Sequence, residues 1–360
     1  MAKVGALGLA WLCFALLATS SHADPKAIPI DAIEVVPPGT PVESPPSPPA
    51  SPPPPPATVG SPVFAPIAPI VAPISGPVSS PPAVGKVMFW DEFYTNFGDK
   101  NTVFPGTPTG STIQLGLDNT TGSGFRSKYP YLYGHLSMKL KLVGGNSAGT
   151  VTSYYLASVF TKWCELDFEF LGNVSGQPYI LQTNVFSEGK GDREQRIYLW
   201  FDPSADYHSY GILWNEKLIL FLVDDVVIRV YHNVAGLGSE YPPYLTYQPM
   251  YIYSSIWNGE KWATRGGADK TDWSQQPFLA SYTEFDVENA CKVKGENDNE
   301  INVCNEQLKT SSYNDAAHQT LTDVQIEDLR RTRDQYIIYD YCTDAKRFNV
   351  TPVECAINWP

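Results

Sequence analysis

Between Trp163 and Gly172 the chain reads Trp-Cys-Glu-Leu-Asp-Phe-Glu-Phe-Leu-Gly. Successive side chains on a strand point to opposite faces. Glu165, Asp167 and Glu169 therefore share one face with Trp163, while Cys164, Leu166, Phe168 and Phe170 share an apolar one. Three carboxylates in a row repel one another, a cost an ordinary strand avoids. The crowding makes sense where a reaction needs one carboxylate ionised and its neighbour protonated at the same pH, a nucleophile beside a general acid. Retaining glycoside cleavage uses such a pair about 5–5.5 Å apart. Residues four apart on an ideal strand lie roughly 13 Å apart at Cα, so curvature and side-chain reach must close the gap. A solvated acidic face or an oxygen-lined metal site would use the same residue types. The aromatic fraction of 13% favours sugar binding, because flat rings give a stacking surface.

The elements that must hold this strand are short and alternating. Strands are predicted at Leu136–Leu142, Val151–Val159, Leu166–Leu171, Ile197–Phe201, Leu218–Val223 and Val226–Tyr231, with Asp224-Asp225 as a tight hairpin turn. Such a pattern argues for two stacked antiparallel sheets. One helix is expected from Thr322-Asp323-Val324-Gln325, which has the form of a capping box, onward to about Tyr341. Cys291, Cys304, Cys342 and Cys355 allow three connectivities, and sequential pairing, Cys291–Cys304 with Cys342–Cys355, closes the shortest loops. Cys164, on the apolar face, reads as an inert small hydrophobe.

The first 23 residues read as a secretory signal ending in Ser21-His22-Ala23, with the apolar run too short for a membrane anchor. Residues 24–86 are dominated by proline and read as an extended tether. Its serine–proline runs resemble extensin-type wall glycoproteins, so a plain spacer and a wall-binding arm both fit. A β-sandwich is expected over 87–285 and an extension packed on it over 286–360. The net charge of −13 excludes a nucleic-acid partner, which demands a basic stripe. No spacing of Cys or His suggests zinc, and neither a metal nor an organic cofactor is implied.

Glu165 to Asn173 followed by Pro178 to Phe186 resembles the plant xyloglucan endotransglucosylase/hydrolase family of glycoside hydrolase family 16. Gly189 to Gln195, Tyr198 to Pro203, Trp262 to Gly267, Lys270 to Trp273 and Tyr341 to Phe348 extend the likeness over residues 88 to 356. The resemblance implies an all-β fold: a curved antiparallel sandwich of jelly-roll, concanavalin-like form, with a short helix-containing extension held by two disulfides. It implies that Glu165 is the nucleophile, Glu169 the acid/base and Asp167 the residue that orients Glu165. Substrate contacts carry over to Gln182, Thr183, Asn184, Asp192, Arg193, Glu194, Lys261, Trp262, Gly266 and Arg347, and Asn173 is a glycosylation site. The implied activity is endo-transglycosylation of β-1,4-glucans, chiefly xyloglucan, between donor and acceptor chains in the plant cell wall. The enzyme would act as a secreted monomer with no membrane partner. Endo-hydrolysis, action on mixed-linkage glucan, and a non-catalytic wall-binding role are the alternatives. Two departures stand out: Trp163-Cys164 replaces the family's His-Asp, and Gln182 replaces a His. Trp163 is expected to face the cleft as a flat apolar wall where a polar group is lost, shifting donor preference.

Overall fold

The computed structural model describes residues 87–105, 112–287, 289–294, 298–315 and 318–358. The expected signal and tether, and Cys13 with them, lie outside the described residues. The expected sandwich forms, with every strand pairing antiparallel. One eight-stranded sheet runs Phe93–Phe97, Ser123–Ser127, Tyr251–Asn258, Thr150–Ala157, Glu165–Leu171, Ile180–Phe186, Gln195–Tyr198 and Ile337–Asp340, in spatial order. The second, seven-stranded, runs Val226–His232, Leu218–Val223, His208–Trp214, Gly134–Lys141, Phe278–Asp286, Thr112–Leu117 and Thr102–Val103.

The core lies between them. Leu166, Phe168 and Phe170 are at most 1% exposed, as the alternation requires. Phe168 meets Phe221 edge-on at 5.2 Å and Phe170 meets Tyr210 at 4.6 Å, both partners belonging to the opposite sheet. Such edge-to-face pairs add to area burial and fix how the sheets sit on each other. The carboxylate strand is thus anchored through its apolar face, leaving the other face for chemistry. Cys164 is buried and free.

The hairpin forms as read: Asp224 and Asp225 both take positive φ, 47° and 63°, as a type I′ turn demands, and Val223 pairs with Val226. Two segments differ from the sequence reading. The Ile197–Phe201 run is a strand only over Gln195–Tyr198. The C-terminal helix stops at Gln335, after Thr322 and Gln325 close the capping box, and Ile337–Asp340 becomes a strand beside Gln195–Tyr198. The run Ile-Ile-Tyr is β-branched and aromatic, which suits a sheet better than a helix. The extension therefore completes the carboxylate sheet as well as packing on it. A further helix, Asp298–Leu308, was not anticipated. The disulfides join Cys291 to Cys304 and Cys342 to Cys355. Among the described residues no helix is long and apolar enough to cross a membrane.

Candidate active site

Register sets the floor of the site. Glu165 lies opposite Ala157 and Phe186, Asp167 opposite Tyr155 and Asn184, and Glu169 opposite Ser153 and Gln182. Partners in an antiparallel register share a face, so these rows form one polar surface across three strands. Glu165 and Asp167 are 9% and 6% exposed, and Glu169 is half-buried.

Burial is the largest influence on all three acids and pushes each upward. Asp167 is driven furthest, by burial and then by the charges of Glu165 and Glu169. It therefore favours its protonated form, whose O–H donates a hydrogen bond to Glu165. Burial also pushes Glu165 to about 7, against hydrogen bonds from Asp167 and Trp163 that favour its anion. Burial pushes Glu169 to about 7, against the pull of a hydrogen bond from Gln182 and the charge of Arg196. Gln182 Nε2 donates to Glu169 at 2.6 Å, and its Oε1 accepts from Arg196 Nε at 2.7 Å. Gln182 is thereby an orienting group for Glu169, itself held by Arg196.

Trp163 corrects an expectation. Its indole is hydrogen-bonded to Glu165, and an indole can only donate. The polar contact is kept, through N–H, where a purely apolar wall was anticipated. The ring stacks on Phe186 at 5.9 Å, and a Cβ on Gly189, at φ 76°, would come within 3.4 Å of it. Trp163 is thus clamped by the end of Ile180–Phe186 and the turn after it, with the Gly189 N–H donating to its carbonyl at 2.7 Å.

The remaining predicted residues divide into three groups. Asp192, Glu194 and Arg347 are brought together: Arg347 donates to Glu194 at 2.7 Å and pairs with Asp192. Trp262 covers Val151 and Leu171, one pleat beyond Glu169, and its Nε1–H has no partner among the described residues. Lys261 and Gly266 are exposed on the loop that carries it. Thr183 and Arg193 do not face the cleft. Thr183 lies opposite core residue Phe168, is 3% exposed, and its hydroxyl accepts from Arg229 at 2.9 Å. Arg193 is 8% exposed, with its guanidinium on Glu354 and the carbonyls of Val185, Lys190 and Gly191. Asn184 faces the floor, but its side-chain oxygen accepts from the Arg193 and Val185 N–H groups. Asn173 sits in the turn after the carboxylate strand, its amide donating to the Pro178 carbonyl at 2.9 Å.

Three residues escaped the sequence reading. Tyr155 stacks on Tyr253 at 5.0 Å, and burial followed by the charge of Glu165 keeps its hydroxyl protonated beside the acids. Its position opposite Asp167 follows from strand pairing, which one strand's alternation does not reveal. Arg196 and Arg229 act from other strands. Among the described residues no group of three or more His, Cys, Asp or Glu is disposed to hold a metal ion.

Comparison with known proteins decides the family. The description Glycosyl hydrolases family 16 matches residues 89–275, and Xyloglucan endo-transglycosylase (XET) C-terminus matches 309–355. The chain belongs to the plant xyloglucan endotransglucosylase/hydrolase family. Its relatives in that family include a probable xyloglucan endotransglucosylase/hydrolase protein of Nicotiana tabacum. That protein is 51% identical over 75% of this chain and 88% of its own length. Xyloglucan endotransglucosylase protein 2 of Diospyros kaki is 55% identical over 68% of this chain and 80% of its own. As a member of this family the chain is a glycosyl-transferring or hydrolysing enzyme.

Proposed function

We propose that this enzyme cleaves the β-1,4-glucan backbone of xyloglucan by retention and passes the glycosyl fragment to another glucan chain in the cell wall. The observation that carries the reading is the division of labour among three acids on one face. Asp167 is raised furthest and in its protonated form gives a hydrogen bond to Glu165, while Glu165 and Glu169 are each raised to about 7. With one proton between the two glutamates, Glu165, which accepts hydrogen bonds from Asp167 and Trp163, is the anion and Glu169 the acid. Glu165 attacks the anomeric carbon and forms a glycosyl ester, and the glycosidic C–O bond breaks as Glu169 protonates the departing oxygen. Glu169, now ionised, takes the proton of an acceptor 4-hydroxyl as that oxygen displaces Glu165. Water in place of the sugar gives hydrolysis. Trp262, Arg347, Asp192, Glu194, Lys261 and Gly266 are the candidate glucan contacts, with Gln182 and Trp163 acting on the carboxylates themselves.

The two disulfides suit an oxidising compartment, which supports secretion to the wall. Division into a catalytic sandwich over 87–285 and an extension over 286–360, glycosylation at Asn173 and a monomeric state belong to the same reading. Incubation with xyloglucan and a labelled oligosaccharide acceptor tests it. Label in long chains is the expected result; shortened chains without label mean hydrolysis, and unchanged polymer would mean a binding protein.

A further inference from the structure

Arg229 is an anomaly in the sandwich. It lies on Val226–His232 of the seven-stranded sheet, opposite Phe221, whose ring is fully buried in the core. Its side chain therefore points between the sheets, and the residue is 3% exposed. The pairing register slips beside it: Phe221 faces Arg229 while Leu222 faces Val227, leaving Ile228 as the extra residue of a bulge. Bulges re-aim neighbouring side chains.

The guanidinium reaches the back of the carboxylate sheet. One nitrogen donates to the Thr183 carbonyl and hydroxyl, each at 2.9 Å, and the other to the Arg193 carbonyl at 2.7 Å. Pairing of Ile180–Phe186 with Gln195–Tyr198 ends at Thr183 and Gln195, so the fork bridges the opening where the two strands part. Thr183 lies between Gln182, which holds Glu169, and Asn184, which faces Asp167. All of these acceptors are neutral, and among the described residues Arg229 makes no ion pair. A buried cation without a bonded counter-ion is costly, whereas neutral side chains would satisfy two carbonyls more cheaply.

We infer that Arg229 is a positioning residue for glycoside cleavage: its fork on Thr183 and the Arg193 carbonyl fixes the 182–184 segment from behind and so holds Gln182 against Glu169. The inference rests on the reading of Glu165, Asp167 and Glu169 as the reacting acids. Asp167 is faced by Glu165 and Glu169 on its own strand, by Tyr155 from the next strand, and by Arg229 from the opposite sheet. Of these, Arg229 is the group that favours its ionised form, so its charge works against protonated Asp167 and its contribution is positional. Arg229 in turn is faced by Tyr341, Asp340, Tyr231 and Arg193. Asp340 is already paired with Arg333, so the Arg229 charge is not neutralised there. Burial drives Arg229 downward, as it does any enclosed cation.

The test is the basic limb of kcat/KM against pH, which reports the acid Glu169 in the free enzyme. Arg229→Met removes the fork at similar volume and slackens the Gln182 bond that lowers Glu169, so that limb should move to higher pH by roughly half a unit while kcat falls several-fold. Arg229→Lys keeps the charge and loses the fork, so it should shift the limb and lower kcat as Arg229→Met does. A limb unmoved in folded Arg229→Met overturns the inference. Should that variant fail to fold, Thr183→Val serves: it removes one acceptor of the fork at unchanged shape, and kcat should drop at constant KM. Unaltered kcat in Thr183→Val would then overturn it. Glu165→Gln separates the two layers of argument, since full turnover there defeats the assignment of the acids themselves, whatever Arg229 does.

Discussion

The two faces of Glu165–Leu171 lie a few ångströms apart and are opposites in chemistry. Behind, Leu166, Phe168 and Phe170 fill a dry layer with aromatic contacts to the opposite sheet. In front, three acids stand in one row and burial raises all of them. The apolar face stabilises the fold and performs no chemistry. The acidic face destabilises the fold and carries the proposed reaction. One strand serves both because its alternation assigns each duty to a separate set of residues.

Substitutions should separate the faces. Glu165→Gln or Glu169→Gln should lower turnover by about three orders of magnitude or more, the scale of losing an essential acid or nucleophile. Thermal melting should be unchanged or higher, because a crowded charge is gone. Loss of folding in these variants would erase the contrast. On the other face, Phe168→Ala should cost about 3–5 kcal/mol by emptying a core position. Denaturant unfolding measures this directly, and a cost below 1 kcal/mol would mean the sheets are not locked through that ring.

Acidity sharpens the contrast. Glu169 moves from an ordinary 4.5 to about 7 on folding. A carboxyl raised in this way contributes stability that is complete below 4.5 and lost as pH rises through 7, because the folded state binds the extra proton. The melting temperature should therefore decline between those limits, and Glu169→Gln should flatten the decline. A slope equal to that of wild type would place the titration elsewhere. Trp163 supplies the smallest effect. Trp163→Phe keeps the stack on Phe186 and removes the N–H that opposes protonation of Glu165. The acidic limb of kcat/KM should shift slightly upward, with activity reduced a few-fold. Trp163→His retains a donor without the broad ring, and an altered ranking of glucan donors is expected there; an identical ranking would remove Trp163 from specificity.

Much of this was legible in the sequence because local signals carried it. Alternation placed Glu165, Asp167 and Glu169 together, Asp224-Asp225 marked a turn that only positive φ allows, and Thr322 with Gln325 announced a helix start. The same alternation shows why Gln182, Thr183 and Asn184 cannot all touch substrate: consecutive strand residues cannot share a face, and Thr183 turns inward. The Asp298–Leu308 helix was hidden because its turn toward the core offers little more than Ile301, Cys304 and Leu308, while Val303 is 58% exposed. Arg229 was illegible. Nothing in Val-Ile-Arg-Val distinguishes a solvent-facing arginine from one aimed between two sheets, a difference set by a bulge and by a partner more than forty residues away.

The measurement closest to the centre of this account is covalent trapping of the enzyme with a 2-deoxy-2-fluoro glucan donor, followed by peptide mass spectrometry. Glu165 should carry the sugar as an ester, released on adding an acceptor oligosaccharide. An adduct on Glu169 or on neither glutamate, in enzyme that still turns over xyloglucan, would contradict it.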